Sequence, residues 1–177
     1  MDFNELVQRR RSVRSYLPGK SLEPSVIEEI LKTTQLAPSW KNSETGRYYV
    51  AASPEKLEAA QACLPTFNQN SSKNAVALIV TTFVRGVSGF TAGAADNELG
   101  DGWGAYDLGL QNAYLVLKAS ELGLDTLIMG LRDADGLRKL LDIPETEEVA
   151  AVLALGYRDG EPVFRPRKAL DEIVKIF

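Results

Sequence analysis

The sequence predicts an α+β fold, with helices packed around a small mixed β-sheet, and three observations carry that prediction. Helical patterns and β-rich runs both occur, but not as a regular βαβ series. Ala75–Phe83 and Val149–Leu155 are continuous apolar runs of the kind buried on both faces of a sheet. Between them lies the strongest helical stretch of the chain, Tyr106–Leu122. The 177 residues fit one domain spanning 1–177. A chain of that size buries roughly 70% of the surface it exposes when unfolded.

A first helix is expected over Phe3–Gln8, with Asp2 as N-cap, followed by Arg9-Arg10-Arg11-Ser12-Val13-Arg14-Ser15-Tyr16. Pro24 opens a second helix with Val26, Ile27, Ile30, Leu31 and Thr34 on one face, ended by Ala37-Pro38-Ser39. Tyr48–Ala52 reads as a strand. Ser53-Pro54 pairs an N-cap with an N1 proline and starts a helix to about Cys63, which Pro65 stops. Val84–Gly104 is glycine-rich and unpatterned, hence a long loop of the kind that is functional or mobile in compact domains. In Tyr106–Leu122, Leu110, Ala113, Tyr114, Leu117 and Glu121 recur at helical spacing, and Gly123 supplies the C′ residue. Thr126–Met129 is a short strand, Asp133 caps a helix to about Leu141, and the tail Phe164–Phe177 is basic and then amphipathic.

Composition excludes several chemistries. Apolar residues make up 45% and charged residues 25%, the balance of an ordinary soluble chain. A net charge of −4 gives no global field for nucleic acid or a membrane surface. No run approaches the ~18 apolar residues of a membrane span. The N-terminus has no apolar run after its charges, so a cytoplasmic location is expected. The lone Cys63 allows no intrachain disulfide and no cysteine-built metal site, and it reads as a packed small residue. Histidine is absent, which removes the imidazole base of nucleophilic hydrolases and the commonest zinc ligand. Any reaction here draws on carboxylates, lysines or a bound cofactor. No metal site is expected: Asp96, Glu98 and Asp101 miss the spacing of a calcium loop.

Four stretches hold candidate chemistry. Arg9, Arg10, Arg11 and Arg14 surround Ser12, and planar guanidinium forks match phosphate oxygens. Read alone, that stretch is more simply a solvated basic helix end. Arg165-Pro166-Arg167-Lys168 is extended by its proline, so Arg165 and Arg167 share a side, although alone it reads as a solvated tail. If the two basic clusters converge, they form one anion site. Ala37-Pro38-Ser39-Trp40-Lys41-Asn42 has the makings of a ring-stacking or phosphate-contacting loop, or of a plain capping turn. The Gly86–Gly104 segment contains neither a G-x-G-x-x-G fingerprint nor a G-x-x-x-x-G-K-[ST] phosphate loop, leaving a flexible loop or a mobile wall over a site.

Together these pieces resemble the FMN-dependent nitroreductase family over nearly the whole chain. Arg10-Arg11-Ser12-Val13-Arg14-Ser15-Tyr16 matches its R-R-S-[VI]-R-x-[FY], and Ala37–Asn42 is similar to its A-P-S-S-x-N. Phe67-Asn68-Gln69 sits where the family has an asparagine ahead of the buried strand. Glu121–Thr126 followed by Ile128-Met129-Gly130 resembles its A-x-x-L-G-L-x-[ST]-x-x-x-x-G, and Arg165-x-Arg167 its closing K/R-x-R. After Asn42, where the family usually has S-Q-P-W, the chain has Ser43-Glu44-Thr45-Gly46. The central region is also short, so the resemblance carries no acceptor specificity.

The resemblance implies a homodimer with FMN at the subunit interface and a C-terminal segment reaching the partner subunit. It implies that Arg10, Ser12, Arg165 and Arg167 hold the FMN phosphate, with Arg11 in the same cluster, and that Arg14 lies near the N1–C2 edge of the ring. Asn68 would bond the pyrimidine edge, and the backbone at Met129 and Gly130 would face N5. Ser39, Trp40 and Asn42 would come from the other subunit. NADH or NADPH would reduce the flavin and a nitroaromatic, quinone or similar small molecule would take the electrons, with no catalytic side chain beyond the flavin. Alternatives are a specialised flavin relative that dehalogenates or fragments a ring, a non-catalytic FMN-binding protein, and a phosphate-binding domain without flavin.

Overall fold

The computed structural model describes residues 2–177. Helix α1 (Phe3–Arg9) starts from a capping box: the Asp2 carboxylate accepts from the Glu5 N–H at 2.9 Å, and Glu5 accepts from the Asp2 N–H. Helix α2 (Pro24–Thr34) has proline in its first turn and buries Ile30 and Thr34. Strand β1 (Gly46–Ala51) leads to α3 (Pro54–Ala62), capped by Ser53, whose hydroxyl accepts from the Lys56 N–H. The chain then turns through α4 (Thr66–Ser71) into β2 (Ala77–Val84). A small hairpin, β3 (Phe90–Thr91) with β4 (Ala94–Ala95), precedes the long α5 (Gly102–Glu121). Strand β5 (Asp125–Met129), helix α6 (Ala134–Leu141), strand β6 (Glu147–Gly156) and a short α7 (Leu170–Ile173) complete the chain.

The main sheet runs β1-β2-β6-β5 and every neighbouring pair is antiparallel. The expected mixed character is confined to one isolated parallel bridge, Ser12 to Thr126. That bridge lays the arginine-rich stretch along β5, with the Val13 N–H donating to the Thr126 carbonyl.

Both sheet faces are covered, as the continuous apolar runs predicted. Side chains alternate along β2: Ala77 and Ile79 face α2 and α5 with Ile30, Leu115 and Ala119, while Leu78 and Val80 face the layer of α3 and α6 with Leu64 and Leu137.

Sequence patterning misplaced two features. Pro65 stops α3 but opens α4 at once, because proline is well placed immediately before a helix as well as after one. Helix α5 starts inside the glycine-rich stretch, since Gly104 lies against Phe83; a Cβ there would come within 2.4 Å of that ring. Helical spacing alone left open which face of α5 is buried. Leu108, Leu115, Val116 and Ala119 point inward, whereas Ala113 and Tyr114 are exposed and Leu110 and Leu117 only half-buried. The helix is apolar nearly all round, so periodicity alone could not tell its two faces apart.

Candidate functional site

The two basic clusters meet. A cavity of about 260 Å³ lies between the end of α1 and the segment after β6, and Arg10, Arg11, Ser12, Arg14, Phe164, Arg165 and Arg167 line it. No carboxylate lines it, and none of these five arginines forms an ion pair among the described residues. Arg11 instead donates to the Arg10 carbonyl at 2.9 Å and lies 5.1 Å from the centre of the Phe164 ring. Arg14 donates to the Ser12 carbonyl at 3.3 Å. Burial, together with the positive charges of Arg11 and Arg167, pushes the Arg10 pKa below its ordinary value. Five guanidiniums without a carboxylate partner face one cavity in a chain of net charge −4, a local concentration of positive charge of the kind that suits an anion. Arg9 does not share it; that residue lines a separate hollow beside Asp125 and Arg158.

The remaining expected site residues fall into two further groups. Asn68, Met129 and Gly130 gather at the far end of β5. Met129 and Asn68 are buried, Gly130 is exposed, and the Asn68 amide donates to the Leu131 carbonyl at 2.9 Å. Strand β5 links this corner to the arginine cavity, since Thr126 bridges Ser12 at one end of the strand and Met129 closes the other. Three residues of strand span roughly 10 Å, so the two groups can serve one elongated ligand.

Ser39, Trp40 and Asn42 do not line the arginine cavity, and the hydrogen bonds of their loop go to Glu44, Asp107, Thr91 and Asp96 rather than to Asn68, Met129 or Gly130. Their loop is strained: Lys41, Asn42 and Glu44 all have left-handed φ values, at 48°, 54° and 48°. It is held from several sides. The Ser39 hydroxyl accepts from the Glu44 N–H, and the Asn42 amide donates to the Glu44 carboxylate at 2.8 Å. Lys41 reaches the hairpin at Thr91 and Asp96, while Trp40 packs at a 47° tilt against Trp103 with ring centres 4.5 Å apart.

Sequence reading missed the residue that anchors this loop. Asp107, buried on α5, accepts from the Trp40 N–H at 2.9 Å and from the Ser88 hydroxyl at 2.6 Å. A polar residue on the inward face of an apolar helix was the available signal. Asp107→Asn is expected to weaken one of these bonds and to lower stability by about 1–3 kcal/mol. It should also raise the protease sensitivity of residues 39–44. Chemical denaturation and limited proteolysis provide the check, and an unchanged cleavage pattern would remove Asp107 from this role.

The model of the Nitroreductase family matches residues 7–157. A protein of Archaeoglobus fulgidus, provisionally named an NADH dehydrogenase/NAD(P)H nitroreductase, is 29% identical over 168 residues, covering 90% of this chain and 87% of its own. Among solved structures, a provisionally named nitroreductase from Exiguobacterium sibiricum in complex with FMN superposes with a TM-score of 0.87 at 20% identity, covering 99% and 97% of the two chains. A nitroreductase family protein from Clostridium difficile 630 gives 0.81 at 23% identity, covering 99% and 98%. Helices on both faces of a small antiparallel sheet, arginines from both ends of the chain in one cavity, and a family match across most of the sequence all agree: the chain belongs to the nitroreductase family.

Proposed function

We propose that this protein is a flavin-dependent oxidoreductase that binds FMN and uses NADH or NADPH as electron donor. The observation that carries the reading is the cavity of five arginines without a carboxylate, which suits a dianionic phosphate. The FMN-bound neighbour from Exiguobacterium sibiricum supports the choice of ligand. FMN held there would supply the redox chemistry linking a nicotinamide donor to a nitroaromatic, quinone or similar acceptor.

The chain's own residues have binding and electrostatic tasks. Arg10, Ser12, Arg165 and Arg167 grip the phosphate, with Arg11 braced on Phe164 beside them. Arg14 would offer positive charge toward the N1–C2 edge, where negative charge grows on reduction. Asn68 would meet the pyrimidine edge, and the Met129–Gly130 backbone would face N5. The side chains gathered at these positions are guanidiniums, a hydroxyl, an amide and a thioether. None is a proton donor near neutral pH, so solvent supplies the protons.

The reading also assigns Ser39, Trp40 and Asn42 to the site of a second copy, because within one protomer they stay apart from the arginine cavity. Two features favour such a dimer. The outward face of α5 exposes Tyr106, Ala113 and Tyr114, and the tail after Arg167 exposes Leu170, Ile173, Ile176 and Phe177.

The test is the absorption spectrum of the purified protein followed by turnover. Flavin bands and steady NADH or NADPH oxidation with a quinone are expected. A protein that stays colourless when incubated with FMN would overturn the proposal. Flavin bleaching without turnover would replace the enzyme with a non-catalytic flavin binder.

A further inference from the structure

The corner after β5 is held by a residue that neither sequence nor family resemblance singled out. Strand β5 pairs with β6 from Asp125 opposite Gly156 to Met129 opposite Val152, and there the ladder stops. Strand β6 continues past that point toward Glu147, and a register shift against β2 between Thr81 and Thr82 brings Val149 opposite Thr82. The Val149 carbonyl lies three residues beyond the last β5 partner and needs a donor from elsewhere. Arg132 supplies it. One guanidinium nitrogen donates to the Val149 carbonyl, and another donates back to the Gly130 carbonyl at 3.0 Å. The side chain thus stands in for the missing strand and ties the corner to the sheet.

Two further facts set Arg132 apart. Its Nε is buried and has no hydrogen-bond partner among the described residues. No carboxylate pairs with it there either, in contrast to Arg158, which is bound by Asp125 at 2.9 Å. A half-buried cation held by carbonyl dipoles, with no carboxylate beside it, leaves its positive charge free to act on a neighbouring group.

We propose that Arg132 is a positioning residue: it clamps the Met129–Gly130 backbone and sets a positive charge behind it, favouring the reduced, more negative form of a flavin ring held there. The inference rests on the FMN reading given above. Arg132 acts through the backbone it holds, and its charge complements Arg14 from the opposite end of β5. The neighbouring Asn68 bond to the Leu131 carbonyl fixes the other side of the same corner.

The experiment measures FMN affinity of the parent, Arg132→Gln and Arg132→Lys in the oxidised and dithionite-reduced states. The ratio of the two affinities reports the redox preference and is insensitive to a uniform loss of binding. In Arg132→Gln the preference for reduced FMN is expected to fall about tenfold, equivalent to a midpoint about 30 mV more negative. Arg132→Lys, which keeps the charge but not the two-pronged grip on the Gly130 and Val149 carbonyls, is expected to fall less than the neutral variants. Should Arg132→Gln fail to fold, Arg132→Met provides the neutral variant, its apolar stem lying along the same path. A neutral variant with the parent's ratio overturns the proposal, as does an Arg132→Lys variant that falls as far as the neutral one. A parent that binds no FMN overturns the functional reading and this inference together; a parent that binds FMN with a ratio indifferent to residue 132 overturns this inference alone.

Discussion

Arg10→Ala and Arg167→Ala will each weaken FMN binding by roughly 10- to 150-fold and leave the folded chain no less stable. The size follows from the loss of one charge-assisted hydrogen bond, worth about 1.5–3 kcal/mol, at about 1.4 kcal/mol per tenfold. The stability part follows from the cavity's electrostatics. Arg10 already sits against the charges of Arg11 and Arg167, and none of the five arginines has an acidic partner to lose. Removing one cation therefore relieves repulsion in the apoprotein, an effect that salt screens. Fluorescence titration of apoprotein with FMN and thermal unfolding without ligand measure the two quantities separately. Because both side chains face one phosphate, the double variant should be non-additive. FMN affinities equal to the parent's in both single variants would dissolve the phosphate assignment.

Ala113→Glu is expected to convert the protein into a monomer that no longer retains flavin. Ala113 is exposed on α5 between Tyr106 and Tyr114, which are 59% and 39% exposed, and the apolar stripe continues into half-buried Leu110 and Leu117. In a two-fold dimer built on this stripe each substitution occurs twice. Each buried, unpaired carboxylate costs several kcal/mol, so the dimer should weaken by at least about 100-fold. Separation from Ser39, Trp40 and Asn42 of a second copy should then release FMN in parallel. Light scattering and the flavin absorbance of the same fractions follow both events. A flavin-loaded monomer would show that the site is complete in one chain.

Much of the architecture was legible from local rules. Asp2, Ser53 and Asp133 cap their helices as read, because a short acceptor side chain before a helix satisfies an otherwise orphaned N–H. The continuous apolar character of β2 and β6 announced burial on both faces. Element boundaries were less legible where glycine had two meanings. Gly102 and Gly104 read as loop residues, yet they begin α5, and Gly104 is there because of Phe83, a residue on another element. The partners of Asp107 and Arg132 could not be read for a related reason. Each bonds groups remote in sequence, the Trp40 and Ser88 partners of Asp107 and the Val149 carbonyl of Arg132, and no spacing pattern encodes such meetings.

By itself the sequence determined the fold class, the caps, the doubly buried strands and the stock of arginines, since these depend on residues within a few positions of one another and on composition. Tertiary structure alone decided that residues 10–14 and 165–167 line one cavity, that α5 turns Leu108 and Leu115 inward and Ala113 and Tyr114 outward, and that Arg132 completes an interrupted sheet edge. The physical reason is common to all three. Convergence of distant segments and the choice between two apolar faces are settled by the packing of whole layers, a property of the assembled chain that local periodicity does not carry.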